Sequence, residues 1–511
     1  QTGGDVITQA AADQTEVAID MVPYTSEAFI AWRHDYTVPI GSDIHYQEVD
    51  VDTWAYGKVI GGWPVTEAKG DQKLPQVAGQ VMVFEDQRRQ AISTDPRIDQ
   101  DIHCQTPGYC TGETLMEWRD VYAKLTSTSD AGLYRMTTDE ENNVYVVWDE
   151  ERPGEGRQIY VQKFDKDGVA RWQGGGVRVS NVSEPTTDAT LPDVAEDFSG
   201  GAQVVWQQAT TGTGQVDVVY AHVSHMGTVD PNEVKNLRVK VPGSTIESRE
   251  PRIVAVRSSA MGNDGSIIAL INTEASEWKR FVQRMEVQPT VSFIHEDPID
   301  QGGNNRFYTD LEIVSHGLGG IHLLSRATDN STNPPTSLIG VASIEEIPPP
   351  NLSFQSHIVD IPYTDFGGYD IAADPMSPLP HRALVAYSIK NQTPNFNVFV
   401  ERYPGPWVDS QAPWSMQLTY AGGVDQATQP TITPDHVDIG GNSGGMFVAW
   451  DYEYVNASWM LVHKVQANRV VFPGGVAFLT PDLDVSMDVT AKTWPDIASQ
   501  EDFIAGTEPR A

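Results

Sequence analysis

The sequence predicts an all-β chain, a single closed β-propeller of eight four-stranded blades, on three observations. A mark of the form Pro-x-Ile/Val, followed by a Gly-rich turn and an apolar run ending in an aromatic, recurs along the chain. Other stretches of each repeat alternate apolar and polar residues, the period-2 pattern of a half-buried strand. Finally, 43 glycines and 33 prolines are spread over the 511 residues rather than clustered, as turns between many short strands require.

The mark is clearest in LPQVAGQVMVFED, LPDVAEDFSGGAQVVWQ, EPRIVAVRSSAMGNDGSIIALIN and QPTITPDHVDIGGNSGGMFVAWD. The residue that ends the second strand is then Trp32, Phe84, Trp148, Trp206, Leu270, Ser325, Tyr387 and Trp450, at intervals of 52–64 residues. A third strand recurs as SDIHYQEVD, QDIHCQ, RQIYVQKFD, VDVVYAHVS, WKRFVQRME, FNVFVERY and WMLVHKVQ, and a shorter fourth follows it. A four-stranded sheet cannot bury both faces alone, so such units stack and close into a ring. Runs such as VYVVW and MFVAW suit inner strands covered on both faces, with the aromatic packed as core between neighbouring blades. The blades are expected near 15–70, 71–130, 131–190, 191–248, 249–308, 309–366, 367–427 and 428–490, or seven in number if the first and last units share a sheet. Segment 491–511 begins another unit and stops, so it is expected to close the ring on the first blade or to contact a partner.

The formal net charge is −36, from 70 acidic and 34 basic residues. Such a surface repels phosphate backbones and anionic lipid, which excludes nucleic acid as a partner, and no run is long and apolar enough to insert in a membrane. A chain that opens QTGGDV without Met reads as exported with its leader removed: extracellular, at the cell surface or periplasmic. Its two cysteines, Cys104 and Cys110 in DIHCQTPGYCTGE, enclose a short loop, and export favours a disulfide there.

The stretch VVWDEERPGEGRQIYVQKFDKDGVARWQGGGVRVSN resembles the Trp-Asp and Asp-Ile-Tyr-x-Gln repeats of large secreted or cell-surface bacterial proteins, mostly of unknown function. The likeness is closest over residues 142–206; Leu270 and Ser325 depart from it by replacing the aromatic. The resemblance implies an exported propeller and no defined reaction.

Chemistry-bearing motifs are sparse. DKDG (Asp165, Asp167) and DVDT (Asp50, Asp52) lie at matching places after the third strand. Carboxylates two apart in a turn can supply oxygen ligands for calcium, while Asp and Gly are also ordinary hairpin-turn residues. His45 and His103 sit at equivalent positions in SDIHYQ and QDIHCQ, which makes them features of the repeat first and metal ligands second. No metalloprotease, nucleophile-elbow, phosphate-loop or dinucleotide motif occurs, and no resident cofactor is indicated.

The leading expectation is a non-enzymatic extracellular or cell-surface propeller that binds proteins or glycans through its loops, or builds a larger surface assembly. The first alternative is a carbohydrate-active enzyme, a glycoside hydrolase or lyase, with carboxylates of raised pKa at the axis. The second is a filament or lattice subunit that self-assembles through 493–511.

Overall fold

The apolar repeats form strands throughout the structure, a computed structural model. It describes residues 5–6, 13–21, 27–35, 41–50, 55–56, 63–65, 71–78, 81–86, 101–108, 117–119, 130–151, 156–166, 168–180, 188–209, 215–237, 247–257, 264–274, 277–286, 292–298, 306–315, 319–332, 334–346, 354–374, 382–390, 395–403, 414–419, 425–435, 445–455, 461–471 and 478–479. Among these the chain is all-β, in eight separate antiparallel sheets, and the first and last repeats do not share one.

The sheets follow one another along the chain. Their first strands are Asp13–Met21, Gln72–Ala78, Asp130–Thr138, Ala189–Glu196, Glu247–Val256, Arg306–Ser315, Asp365–Asp374 and Gln426–Asp435. In sheets 1 to 7 the second, third and fourth strands pair in sequence order, which is a meander. Sheet 8 differs. Its third strand, Leu461–Val471, pairs with Asp5–Val6 from the N-terminal end and with Phe478–Leu479. Residues from both ends of the repeat array therefore meet on one strand. The expected partner of the first repeat, segment 491–511, lies outside the described residues.

Each second strand is apolar on both faces, and both faces are covered. In Val144–Glu151, Tyr145 and Val147 face sheet 4, whereas Val146 and Trp148 face sheet 2. Eight apolar clusters, among the described residues, fill the gaps between neighbouring sheets. The eighth joins sheet 8 (Phe447, Ala449, Val465, Ala467) to sheet 1 (Ile19, Met21, Ile30, Trp32). The repeat aromatics are the centres of these clusters. Trp32, Phe84, Trp148, Trp206 and Trp450 have no exposed surface, and each faces the preceding sheet. The fit around Trp148 is close. Gly176 has φ +79°, and a Cβ there would lie 2.4 Å from the indole.

Sheet 6 replaces the aromatic with Ser325, and sheet 5 supplies the missing bulk. Arg280 is completely buried, donates to Ser325 Oγ at 3.0 Å and stacks its guanidinium over Tyr308 at 4.2 Å. A buried guanidinium is tolerable only where its donors find acceptors and its charge finds a π-face. Replacing Arg280 with Ala empties the site and strips the Ser325 hydroxyl of its donor. We expect Arg280→Ala to lower the unfolding free energy by about 2–4 kcal/mol, measured by equilibrium urea denaturation.

Candidate active site among the first strands

Every first strand carries one irregularity at the same place. The ladder to the second strand slips between Thr15 and Ala18, Lys73 and Gln76, Ala131 and Tyr134, Thr190 and Asp193, Arg249 and Arg252, Thr309 and Glu312, Phe366 and Gly368, and Thr428 and Thr431. These are β-bulges, and most hold a residue at positive φ: Glu16, Leu74, Leu191, Glu250, Asp310, Gly368 and Gln429. The prolines of the repeat mark, Pro75, Pro192, Pro251 and Pro430, come next in sequence. Proline suits a bulge, where one N–H is left out of the ladder.

A bulge leaves backbone groups without ladder partners, and the neighbouring sheet supplies them. The N–H of Glu16 donates to Asp451 Oδ2 (3.3 Å), that of Leu74 to Glu16 Oε2 (2.7 Å), that of Glu250 to Gln207 Oε1 (2.6 Å), and that of Asp310 to Glu250 Oε2 (2.5 Å). In each case the acceptor belongs to the preceding sheet. The Tyr134 and Tyr369 hydroxyls donate back to the carbonyls of Leu74 and Asp310.

Beyond the bulge, one residue per sheet stands opposite the residue that precedes the repeat aromatic. These are Ala18, Gln76, Arg135, Asp193, Arg252, Glu312, Asp370 and Thr431. Sheets 3 to 7 place five charged side chains in this row and the remaining sheets place small or neutral ones. The charged members converge across the chain. Arg135 of sheet 3 donates to Glu312 of sheet 6 at 2.8 Å, and Arg252 of sheet 5 donates to the same carboxylate at 3.3 Å. The Arg135 and Glu312 side chains keep 36% and 27% of their surface exposed, so this cluster opens onto solvent rather than lying in a sealed core.

The environments of the three carboxyls differ. Burial raises Glu312, but the guanidiniums of Arg135 and Arg252 outweigh it and hold this carboxyl below its ordinary value. Burial pushes Asp370 up to about 6, although the Ile432 and Ile371 N–H groups and the Thr431 hydroxyl donate to it. Burial also raises Asp193, with Arg252 and Arg135 opposing. One carboxyl that keeps its proton into mild acid thus stands in the same row as one that stays ionised.

The residues singled out from sequence lie elsewhere. Asp165 sits in the hairpin turn before the fourth strand of sheet 3, where it accepts the Val169 N–H at 2.8 Å and pairs with Arg171. Asp167, Asp52, Cys110 and the side chains of Asp50 and Cys104 are outside the described residues. Among the described residues no group of three or more His, Cys, Asp or Glu side chains is placed to hold a metal. His45 and His103 each stand opposite the repeat aromatic of their sheet, Trp32 and Phe84. Burial lowers His45 to about 3, so it is neutral.

A second cluster, on sheets 3 and 4, is explained by the repeat itself. His222 bonds Asp197 (2.8 Å) and Glu233 (3.0 Å). The equivalent residues are Lys163 with Asp139 in sheet 3 and Arg402 with Asp374 in sheet 7. In each, a basic residue on the third strand ties down the aspartate of the first hairpin, a structural strap that recurs with different cations.

The central row was missed in sequence because in four sheets it occupies the variable x of the Pro-x-Ile/Val mark, as in LPD for Asp193 and EPR for Arg252, and in the other four no proline marks it. The signal was present: an Ile, Val or Met follows the position in every repeat while the residue at the position itself changes.

No protein-family model matches the chain, and no curated protein matches it. Solved structures similar to it include an ulvan lyase described as a new family of polysaccharide lyase (10% identity, TM-score 0.42, covering 76% of this chain and 91% of that one). Another is an α-L-arabinanase of Penicillium chrysogenum complexed with arabinobiose (12% identity, TM-score 0.35, 70% and 98%). A third is a protein of unknown function from Dyadobacter fermentans (9% identity, TM-score 0.34, 91% and 98%). Similarities of this size bear on neither activity nor substrate.

The two protonation states predict a pH effect. Folded Asp370 keeps its proton to about pH 6, whereas an unfolded aspartate loses it near its ordinary 3.8. Between these values the folded chain binds more protons than the unfolded one, so this carboxyl's contribution is present at low pH and is lost as pH rises through 6. Asp370→Asn removes that component. The stability of the variant relative to wild type should rise from pH 4 to 6 and level off above, read by denaturation at stepped pH.

Proposed function

We propose that the eight sheets close into an eight-bladed β-propeller, and that the protein is an exported carbohydrate-active enzyme with the central row as its axial active site. The packing of each sheet on the next, and of sheet 8 on sheet 1, supports the ring. In a closed ring, one residue per blade at a common height faces the axis, which explains how Arg135 and Glu312 meet although 177 residues apart.

The observation that carries the enzymatic reading is the pairing of unlike carboxyls in one solvent-reached cluster. Asp370 is protonated to about pH 6 and Glu312 is held ionised. Cleavage of a glycosidic bond needs one group to protonate the leaving oxygen and another to accept a proton, and environments that push two carboxyls apart assign those roles. Asp370 is the acid. Its Oδ1 accepts only the Ile371 N–H among the described residues, which leaves a position for the proton. Glu312 is the base, taking a proton from water in a hydrolase or from the sugar ring in a lyase. Arg135 and Arg252 hold Glu312 in place and keep it charged. Ala18 and Thr431, on the side of the ring away from the arginines, leave room for a sugar.

A second reading, glycan binding without turnover, is favoured by one fact. The axial carboxyls are also structural: Asp193 accepts the Ile253 N–H of the next sheet at 3.0 Å, and Asp370 accepts that of Ile432 at 2.9 Å.

Incubation with a panel of neutral and acidic polysaccharides separates the two. Shortened products, with ultraviolet-absorbing unsaturated ends from a lyase or reducing ends alone from a hydrolase, are expected. Asp370→Asn and Glu312→Gln should each lower turnover by about 10²–10⁴-fold. Retained polymer without cleavage would establish the binding reading. Cleavage undiminished in both variants would remove the axial row from the chemistry.

A further inference from the structure

The joint between sheet 8 and sheet 1 differs from that between sheets 4 and 5 in one ionisable group. At two joints the acceptor for the bulge N–H comes from the residue that follows the repeat aromatic of the preceding sheet, whereas at two others it is the bulge side chain of that sheet, Glu16 or Glu250. Between sheets 4 and 5 that acceptor is Gln207, which follows Trp206 and takes the Glu250 N–H at 2.6 Å. Between sheets 8 and 1 it is Asp451, which follows Trp450 and takes the Glu16 N–H at 3.3 Å. One joint is held by an amide that never changes charge, the other by a carboxyl.

The surroundings of Asp451 oppose its negative form. It is 7% exposed, and its Oδ1 is buried with no hydrogen-bond partner among the described residues. An unpaired buried oxygen costs far more as an anion than as a neutral acid. The charge on sheet 1 that acts on it is the Glu16 carboxylate, of the same sign. Cations nearby are otherwise engaged or discouraged. Arg33 of sheet 1 is bound to Glu16 (3.1 Å) and Asp35 (2.8 Å). Burial lowers the pKa of His34 on sheet 1 and of Lys464 on the third strand of sheet 8. On Asp451's own strand, Glu453 faces His463 at 3.5 Å. The residue across the ladder, Thr428, is uncharged. Among the described residues no cation pairs with Asp451.

We propose that the joint between sheets 8 and 1 is a pH-sensitive clasp, tight while Asp451 is protonated and loosened when it ionises. This is the place where residues from both ends of the repeat array come together, so loosening it opens the array at its own seam. It also adjoins Thr431 and Ala18, the small members of the central row. Burial pushes Asp451 up to about 7, against its ordinary 3.8, with the Glu16 and Val17 N–H groups opposing and the Glu16 charge assisting. The clasp is therefore strongest in acid and weakens as pH rises toward neutrality.

Hydrogen exchange on the full chain tests this, after correction for the intrinsic pH dependence of exchange. Protection of the peptide containing Glu16 should fall by roughly tenfold per pH unit between 5.5 and 7, then level off. Protection of the peptide containing Glu250, held by Gln207, should stay constant. Asp451→Asn should flatten the Glu16 profile, and Asp451→Gln, which copies the other joint, serves if the first variant folds poorly. Equal pH profiles at Glu16 and Glu250 in the wild type, or an unchanged slope in a folded Asp451 variant, would overturn the clasp. Neither result depends on any glycan activity.

Discussion

The structure depends on one constraint: each four-stranded sheet is apolar on both faces. A strand such as Val144–Glu151, buried along almost its whole length, leaves no face that can meet water. The only cover available is another copy of the same unit. Each copy then presents the same problem on its far side, and the problem ends only when the last sheet meets the first. The cluster joining Phe447 and Ala449 to Ile30 and Trp32 is that meeting point. Stability is thus spread over a series of similar interfaces rather than held in a single core.

The bulge does two things at once. It frees a backbone N–H that reaches back to the previous sheet, as Leu74 does to Glu16, and so adds directional bonds to an otherwise nondirectional apolar interface. It also re-aims the residue two positions on, sending the side chains of Arg135, Arg252 and Glu312 toward one another. The irregularity that joins the sheets is therefore the same one that assembles the charged cluster.

Repetition makes equivalent positions directly comparable, and the exceptions carry the information. Lys163, His222 and Arg402 do one job with three different cations, which assigns His222 to structure despite its two carboxylate partners. Ser325 breaks the aromatic series, and Arg280 compensates from the preceding sheet. Asp451 puts an ionisable carboxyl where Gln207 puts an amide. In the central row, by contrast, the residue type changes in both sign and size from sheet to sheet, from Ala18 and Gln76 through Arg135, Asp193, Arg252, Glu312 and Asp370 to Thr431.

Period-2 runs, turn residues and the spacing of Trp32 to Trp450 were enough to determine the all-β class, the eight units and the burial of the repeat aromatics, because strand formation and two-sided burial are properties of local pattern. The carboxyl pair at Asp50 and Asp52 or Asp165 and Asp167 drew notice for the same local reason, and Asp165 proves to serve its own turn. What lay beyond the sequence was everything set by distance through space. Arg135 and Glu312 are 177 residues apart, and nothing local to either predicts the other. The use of Asp5–Val6 to complete the last sheet, the different surroundings of Asp370 and Glu312, and the burial of Asp451 are likewise set by tertiary packing. Each arises from which charges and surfaces the packed sheets bring within a few ångströms, and a linear pattern does not encode that proximity.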